Sequence, residues 1–313
     1  MINAQMERIK DGISNGADIQ YFMDIYNNIW HLVRWHAMTL QNDVFYRGRI
    51  ANKTRLFSNA NELKYPPRGI VKQPGRLNDA GESIAYLTTS TLCTLAELNV
   101  DYYQIFCEAE IAYNPKNIVF FSIGVKGDYK GVAEQEDIFI DFFNHLLTTP
   151  NKSYYNATFA FAHKMFNSGS IINSNKQDIG IVYNSAQEGK TNQHLHNIAV
   201  QPHVFDRSFS ITKAIYRIMS YNKKEGNIIL NDINSGTILK DGSMAWERSF
   251  ERMMEYCNDM FGNDAFLVHD ENGQGAIIKY PEGSGRIIDT DDTFYHVGFK
   301  NHGLTKIEIN ICK

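Results

Sequence analysis

Strand-like sequence between residues 44 and 125, with helical sequence on both sides of it, constrains the fold of this chain more than any other feature. Residues 1–40 have a broad apolar face at helical spacing, and helical patterns return from about residue 132 to 168. Between them, runs such as 105–111 and 118–123 are rich in β-branched and aromatic side chains. Separate helical and strand-rich stretches of this kind indicate an α+β fold.

The remaining sequence contains further strands and one more helix. Strands are predicted over 178–185 and 198–200, and a helix is predicted near 244–262. Short alternating runs separated by glycine-containing turns follow this helix, at residues 264–269, 275–280, 294–299 and 304–311. Such spacing predicts a small antiparallel meander.

Shifts in composition predict three segments along the chain. Residues 1–43 form a helical N-terminal extension, residues 44–210 a central domain that carries the chemistry, and residues 211–313 a C-terminal extension of helix and meander. No internal repeat, low-complexity tract or flexible linker separates them, so we expect the meander to pack on the core. A separable C-terminal domain is the alternative.

Charge and cysteine usage exclude several classes of protein. The net charge of -4 and the sequence pI of about 6.2 give no basic field for nucleic acid, so we expect no direct nucleic-acid partner. No stretch approaches the ~18 apolar residues of a membrane span, and no signal-peptide core is present. The four cysteines are scattered without a C-x-x-C pair, which favours a reduced, cytoplasmic protein.

Residues 75–97 hold an arginine, a tyrosine and a carboxylate in one short stretch, GRLNDAGESIAYLTTSTLCTLAE. The stretch predicts a strand, a turn at Asn-Asp-Ala-Gly, a second strand over 83–89, and a helix capped by hydroxyl side chains. This order of elements would bring Arg76, Tyr86 and Glu97 to one cleft. A solvated surface charge is the alternative for Glu97.

The histidine spacing does not predict a metal site. His194, His196 and His203 lie close together in the sequence, but no carboxylate or cysteine stands at the spacing of metal ligands. We therefore expect no metal cofactor. Ser185 lacks the G-x-S-x-G context of a hydrolase nucleophile.

Several short segments together resemble the RES domain family. They are Phe45-Tyr46-Arg47, Gly75-Arg76-Leu77-Asn78, Tyr86 followed eleven residues later by Glu97, and the strand that ends at Ser185. The family is named for an arginine, a glutamate and a serine, which Arg76, Glu97 and Ser185 match. The resemblance covers about residues 44–210. This chain departs from the common pattern at Leu77, where an aromatic residue is frequent, and at Asn184, where proline is frequent.

The resemblance implies both a fold and a function. The fold would be like that of ADP-ribosyltransferases, with a core of mixed and antiparallel sheets and flanking helices. Family members are toxins of toxin–antitoxin pairs that degrade NAD+ or move its ADP-ribose. The chain would thus be a growth-inhibiting bacterial toxin that cleaves NAD+ with water or phosphate as acceptor. Its partner would be a small helix-turn-helix antitoxin of the Xre type.

The resemblance assigns catalytic roles to three residues. Glu97 would hold the ribose hydroxyls and stabilise the oxocarbenium-like charge that develops as the nicotinamide bond breaks. Arg76 would grip the pyrophosphate or the adjoining ribose through its planar guanidinium. Ser185 would form a hydrogen bond at the nicotinamide-ribose end. The same cleft would also suit transfer of ADP-ribose to a protein side chain, or binding of NAD+ or a partner without chemistry.

Four further residues are candidate contacts of NAD+. Tyr86 would stack on the nicotinamide ring, and Tyr46 and Arg47 would contact a second phosphate or ring. A structural role suits Arg47 equally well. Asn78 is better explained as a turn residue that fixes Arg76 than as a ligand.

Overall fold

A computed structural model describes most of the chain, namely residues 2–33, 35–38, 40, 44–51, 55–100, 104–114, 118–125, 134–149, 151–168, 177–185, 195–222, 227–261, 294–298 and 308–312. These residues form an α+β fold with a mixed ten-stranded sheet, a two-stranded sheet and seven α-helices, which confirms the expected fold class. No helix in these ranges is both long enough and apolar enough to cross a membrane.

The helices lie mainly in two groups, at the N-terminus and between residues 134 and 166. The seven α-helices of the described ranges are α1 (Ile2–Ser14), α2 (Ile19–Ile29), α3 (Thr91–Leu98), α4 (Glu134–Thr148), α5 (Tyr155–Phe166), α6 (Pro202–Ser208) and α7 (Phe250–Phe261). Short 3-10 helices occur at Trp30–Leu32, Ala60–Glu62, Arg68–Ile70 and Lys152–Tyr154.

The strands are β1 (Ala37–Met38), β2 (Val44–Ile50), β3 (Ala85–Thr88), β4 (Ile105–Tyr113), β5 (Ile118–Ile123), β6 (Asp178–Asn184), β7 (His196–Val200), β8 (Phe209–Asn222), β9 (Asn227–Ile238), β10 (Met244–Trp246), β11 (Phe294–Gly298) and β12 (Glu308–Cys312). The large sheet has the order β1-β5-β6-β7-β3-β2-β4-β8-β9-β10. Strands β5 and β6 are parallel, whereas β7 is antiparallel to both β6 and β3.

The described chain divides into two compact units, each built from three stretches of sequence. The first unit contains Met1–Tyr46, Lys64–Cys93 and Ile111–Ser210. The second contains Arg47–Leu63, Thr94–Glu110 and Ile211–Lys313. These two units are defined by contacts in space. The three segments expected at 1–43, 44–210 and 211–313 are defined by composition along the chain, so the units do not test them and they stay a prediction.

Aromatic side chains from several helices fill the core of the first unit. Tyr26 of α2 is fully buried, and its ring meets Phe143 of α4 and Phe161 of α5 edge to face. The Tyr26 hydroxyl donates a hydrogen bond to the carbonyl of Ala157. Helices α1, α2, α4 and α5 thus share one apolar cluster with residues of β5, β6 and β7. Of the helical sequence expected over residues 1–40, α1 and α2 are confirmed, whereas Ala37–Met38 form the strand β1, which pairs with β5.

A glycine lets the central strands of the first unit pack closely. Gly180 of β6 pairs with Phe120 of β5, and a Cβ built at Gly180 would lie 2.4 Å from the Phe120 ring. Because the ring covers this position, a larger residue would push it away. The predicted strands over 118–123 and 178–185 are confirmed as β5 and β6.

A long hairpin and a short edge strand organise the second unit. Strands β8 and β9 pair over most of their length, with a register shift between Tyr216 and Arg217. The Tyr216 hydroxyl accepts a hydrogen bond from the Phe57 N–H, and the Trp246 indole donates one to the Phe57 carbonyl. These side chains connect the segment before residue 63 to β8 and β10.

Two predictions from sequence are wrong in detail. Residues 75–77 form no strand, because the Gly75 N–H bonds to the Asn78 carbonyl and the Leu77 N–H bonds to a tyrosine hydroxyl. The helix expected near 244–262 begins only at Phe250, since residues before it form β10 at the sheet edge.

The C-terminal meander is described only in part. The expected runs at 264–269 and 275–280 lie outside the described residues. Strands β11 and β12, within the runs expected at 294–299 and 304–311, form an antiparallel pair. The long strands β8 and β9, which the sequence pattern did not predict, supply most of the β structure after residue 208.

Candidate functional site

The loop that carries Arg76 is held by Tyr86. The Tyr86 hydroxyl accepts a hydrogen bond from the Leu77 N–H at 3.1 Å and donates one to Asn78 Oδ1 at 2.9 Å. The Gly75 N–H bonds to the Asn78 carbonyl at 2.8 Å, which closes the loop around Arg76. The half-buried Arg76 guanidinium forms no ion pair with any residue that the structure describes. This loop therefore presents Arg76 from a fixed backbone.

Asn78 has the turn-forming role that its sequence context favours. It is buried, and its side-chain amide donates to the carbonyls of Asp79 and Glu82. A Cβ at Gly75 would lie 2.6 Å from Asn78 Oδ1, so the glycine permits this close approach. The amide and the carbonyl of Asn78 are both engaged within the loop, which makes it a positioning group for Arg76.

Strand register in the first unit aligns residues from four neighbouring strands. Tyr46 of β2 pairs with Thr88 of β3, Thr88 with Asn197 of β7, and Asn197 with Tyr183 of β6. The Thr88 hydroxyl also donates to the Tyr46 carbonyl at 3.2 Å. Tyr183 is buried in the core, as its apolar surroundings in the sequence suggest.

This register brings three of the predicted site residues to one face of the sheet. Tyr86 lies two residues before Thr88, and Ser185 lies two residues after Tyr183, so alternation places both on the face that carries Tyr46. Ser185 is buried, and its N–H donates to the Leu195 carbonyl at 2.8 Å, which continues the ladder past β6.

The spacing within this face is long. Two strand spacings of about 4.8 Å separate β3 from β6, and Tyr86 and Ser185 are offset by about 13 Å along the strands. The two side chains are therefore about 16 Å apart at the backbone. A ligand that touches both must be extended.

Glu97 and Arg47 belong to the second unit. Glu97 is exposed on α3. The helix lies directly against β2, because a Cβ at Gly48 would come within 2.4 Å of Leu98 and 2.5 Å of Thr94. Arg47 precedes Gly48 on β2, so alternation places it on the face away from α3. Arg47 and the helix that carries Glu97 thus lie on opposite faces of β2. This separation favours a structural role for Arg47.

A second carboxylate, which the sequence interpretation did not single out, lies inside the second unit. Glu108 of β4 is fully buried and forms an ion pair with Arg217 of β8. Arg217 also pairs with Asp232 of β9 at 2.7 Å. The signal in the sequence is two glutamates, Glu108 and Glu110, inside the otherwise apolar run 105–111. Its burial and pairing make Glu108 part of the sheet's structure.

A cluster of polar side chains lies at the end of β3, and no local sequence pattern predicts it. The Cys93 thiol of α3 donates to Asn197 Oδ1 at 3.5 Å and to the His196 carbonyl at 3.7 Å. The Ser90 hydroxyl caps α3, because it accepts a hydrogen bond from the Cys93 N–H at 3.2 Å. This is the hydroxyl cap that the sequence predicts. Only the pairing of β3 with β7 brings these residues together.

Histidines of the described residues do not form a metal centre. His203 pairs with Asp178 at 3.7 Å, and His196 lies in β7. No group of three or more potential ligands suited to a metal occurs among the residues that the structure describes, which do not include His194.

Comparison with known proteins adds no relative. The chain matches no protein-family model, no curated protein and no solved structure. Its function is therefore argued from its own residues and their geometry.

Proposed function

We propose that this protein cleaves the nicotinamide glycosidic bond of NAD+, with water or phosphate as the acceptor of ADP-ribose. The observation that carries the proposal is the common sheet face of Tyr46, Tyr86 and Ser185, beside a loop that fixes Arg76. These residues come from separate parts of the RES-like pattern.

Tyr86 and Ser185 lie at opposite ends of this face, with Ile181 and Tyr183 of the buried core between them. An extended dinucleotide would therefore reach Tyr86 and Ser185 at its two ends. A ligand that reaches from Tyr86 to Ser185 must span roughly 16 Å of backbone, less the reach of the two side chains. NAD+ carries a ring at each end and a pyrophosphate between them. Arg76 would bind the pyrophosphate through its guanidinium, and the tyrosine rings would stack on the bases. Ser185 would form a hydrogen bond at the nicotinamide-ribose end, as the RES pattern implies, and Tyr86, about 16 Å away at the backbone, would contact the ring at the other end of the ligand.

The chemistry requires a single carboxylate. Nicotinamide leaves as a neutral base from a cationic pyridinium, so no general acid has to protonate it, in contrast to the paired carboxylates of O-glycosidases. Glu97 would stabilise the oxocarbenium-like charge on the ribose. Its assignment comes from the spacing to Tyr86 in the RES pattern.

Within this proposal, the core would be related to ADP-ribosyltransferases and the protein would act as a bacterial toxin. Loss of NAD+ would arrest growth, and a helix-turn-helix antitoxin of the Xre type would occlude the cleft. The exposed position of Glu97 fits a group that such a partner covers.

Product analysis tests the proposal. The purified full chain is incubated with NAD+, with and without inorganic phosphate, and the products are identified by mass spectrometry. Free nicotinamide with ADP-ribose indicates water as the acceptor, and a phosphorylated ADP-ribose indicates phosphate. Label from NAD+ that appears on protein in a lysate would instead indicate ADP-ribosyl transfer. Absence of nicotinamide under all conditions would overturn the proposal.

A further inference from the structure

A cavity of about 320 Å³ lies in the first unit and borders the Arg76 loop through Leu77. It is bounded by the last turn of α5, by the residues that lead into β3, and by Gln201 to His203 after β7. Because β3 and β7 are antiparallel, these segments meet at the Ala85 end of β3. The polar cluster of Cys93 and Asn197 lies at the opposite, Thr88 end.

Two hydrogen bonds shape one wall of this cavity. The Gly81 N–H bonds to the Val71 carbonyl at 2.7 Å, and the Ser83 hydroxyl donates to the Pro66 carbonyl. The 3-10 helix Arg68–Ile70 is thereby held beside the loop that contains Glu82. Gly81 has a φ of +80°, a conformation that glycine adopts without strain. The wall thus brings Arg68 and Glu82 to the cavity from adjacent segments.

Opposite charges in this cavity are not paired with each other. Arg68 and Glu82 both line it and both are exposed. Neither forms an ion pair with the other or with a different residue within the described ranges. The Glu82 carboxylate accepts only a long contact of 3.5 Å, from the Asp79 N–H, within the described ranges. Both charges are therefore available to a ligand that carries the complementary pair.

The rest of the lining is apolar or capable of hydrogen bonding. Phe159 and Phe166 of α5 contribute aromatic rings, and Leu77 and Ile84 contribute aliphatic side chains. Helix α5 ends at the cavity with Asn167 as its C-cap. The C-terminal end of a helix dipole favours a positive group nearby. The cavity thus combines an apolar floor with separate places for an anion and a cation.

We propose that this cavity binds a small zwitterion of amino-acid type with an apolar side chain. Arg68 binds the carboxylate through its planar guanidinium, and Glu82, aided by the C-terminus of α5, binds the ammonium. The phenylalanine rings contact the apolar side chain. The volume lies near the lower end of the range of roughly 300–1,000 Å³ for ligand pockets, which favours a small molecule. This site is independent of the proposed cleavage of NAD+.

Three matched probes separate the contributions of the two charges. L-Phenylalanine carries both, 3-phenylpropanoate lacks the ammonium, and 2-phenylethylamine lacks the carboxylate. Binding of each to the full chain is measured by calorimetry and by saturation-transfer NMR at one pH. We expect phenylalanine to bind at least about tenfold more tightly than either analogue. Equal affinity for phenylalanine and 3-phenylpropanoate, or no binding of phenylalanine, would overturn the proposal.

Two variants then connect each charge to its residue. Arg68→Gln should weaken phenylalanine and 3-phenylpropanoate by about tenfold and leave 2-phenylethylamine unchanged, whereas Glu82→Gln should do the reverse. Lys72→Gln is the matched control, because Lys72 is an exposed cation nearby that does not line the cavity. Thermal unfolding of all three establishes that they are folded. Affinities that do not change in Arg68→Gln and Glu82→Gln would contradict the assignment.

Discussion

Tyr86 illustrates how one side chain decides the conformation of a loop. Its hydroxyl satisfies the Leu77 N–H and the Asn78 side chain together, so the loop needs no strand partner. The sequence suggested a ring for stacking at this position. The structure adds that the loop engages the hydroxyl and that the side chain packs partly against the core of the first unit.

The hydrogen bonds of the Tyr86 hydroxyl should contribute measurably to the free energy of unfolding. Tyr86→Phe removes both hydrogen bonds and is expected to lower the free energy of unfolding by about 1–2 kcal/mol. Urea unfolding monitored by circular dichroism measures this change. Tyr65→Phe is the control, because its hydroxyl bonds to the exposed Asp206 and should cost less than about 1 kcal/mol. An unchanged stability of Tyr86→Phe would contradict the role given to the hydroxyl.

Glu62 should make the free energy of unfolding depend on pH in the acidic range. Burial raises the pKa of its carboxyl, but hydrogen bonds from Arg55 and from Ser58 outweigh this and lower the pKa to about 2. Since this pKa lies below the reference value of 4.5, the stabilisation is complete above about pH 4.5. It is lost as the pH falls towards 2.

Glu62→Gln tests this pH dependence. The variant is expected to lose about 1 kcal/mol or less at pH 7, because the Arg55 side of the ion pair is exposed and solvent screens the interaction. Its stability should change less than that of the wild type between pH 4.5 and 2. Glu255→Gln, an exposed change on α7, should leave the wild-type profile intact. Parallel profiles for Glu62→Gln and wild type would exclude the predicted linkage.

Helix α3 depends on the absence of a side chain at Gly48. Thr94 and Leu98 of the helix occupy the space where a Cβ would stand. Helix α3 also carries Glu97, so its placement on β2 sets the position of the proposed catalytic carboxylate. The requirement for glycine is visible only once the helix is seen against the strand.

Gly48→Ala should move α3 or compress its contacts. Overpacking of this kind costs about 1–3 kcal/mol, and thermal unfolding would report it. If Glu97 acts as proposed, nicotinamide release should fall in this variant even under conditions where it remains folded. Gly69→Ala is the matched control, because no atom lies within 4 Å of a Cβ built there and its φ is not positive. Equal stability of the two variants would show that α3 tolerates the methyl group.

Elements with strong local patterns could be predicted from sequence, and those defined by distant partners could not. The apolar faces of α1 and α2 and the β-rich runs of β5 and β6 gave nearly correct bounds. The late start of the C-terminal helix follows from β10, whose residues bond to the segment before position 63. The pairing of β8 with β9 is likewise a contact between elements. Periodicity describes one element at a time and carries no register between elements.

At the scale of the whole molecule, the chain passes repeatedly between two compact units. Each unit draws on three separate stretches, so composition along the chain cannot delimit them. The candidate site shows the same limit. The resemblance to the RES family selected Tyr46, Tyr86 and Ser185, but only strand register shows that they share a face and how far apart they lie. The pairing of Glu108 with Arg217 is another contact that no local pattern contains.

Nicotinamide release from NAD+ by the purified full chain tests the central claim most directly, with Glu97→Gln and Glu255→Gln assayed beside it. Both glutamates are exposed on helices, so each variant removes one exposed negative charge. The account predicts release by the wild type and by Glu255→Gln, and a rate at least about 100-fold lower in Glu97→Gln. Equal rates in folded Glu97→Gln and wild type, or no release by the wild type, would contradict it.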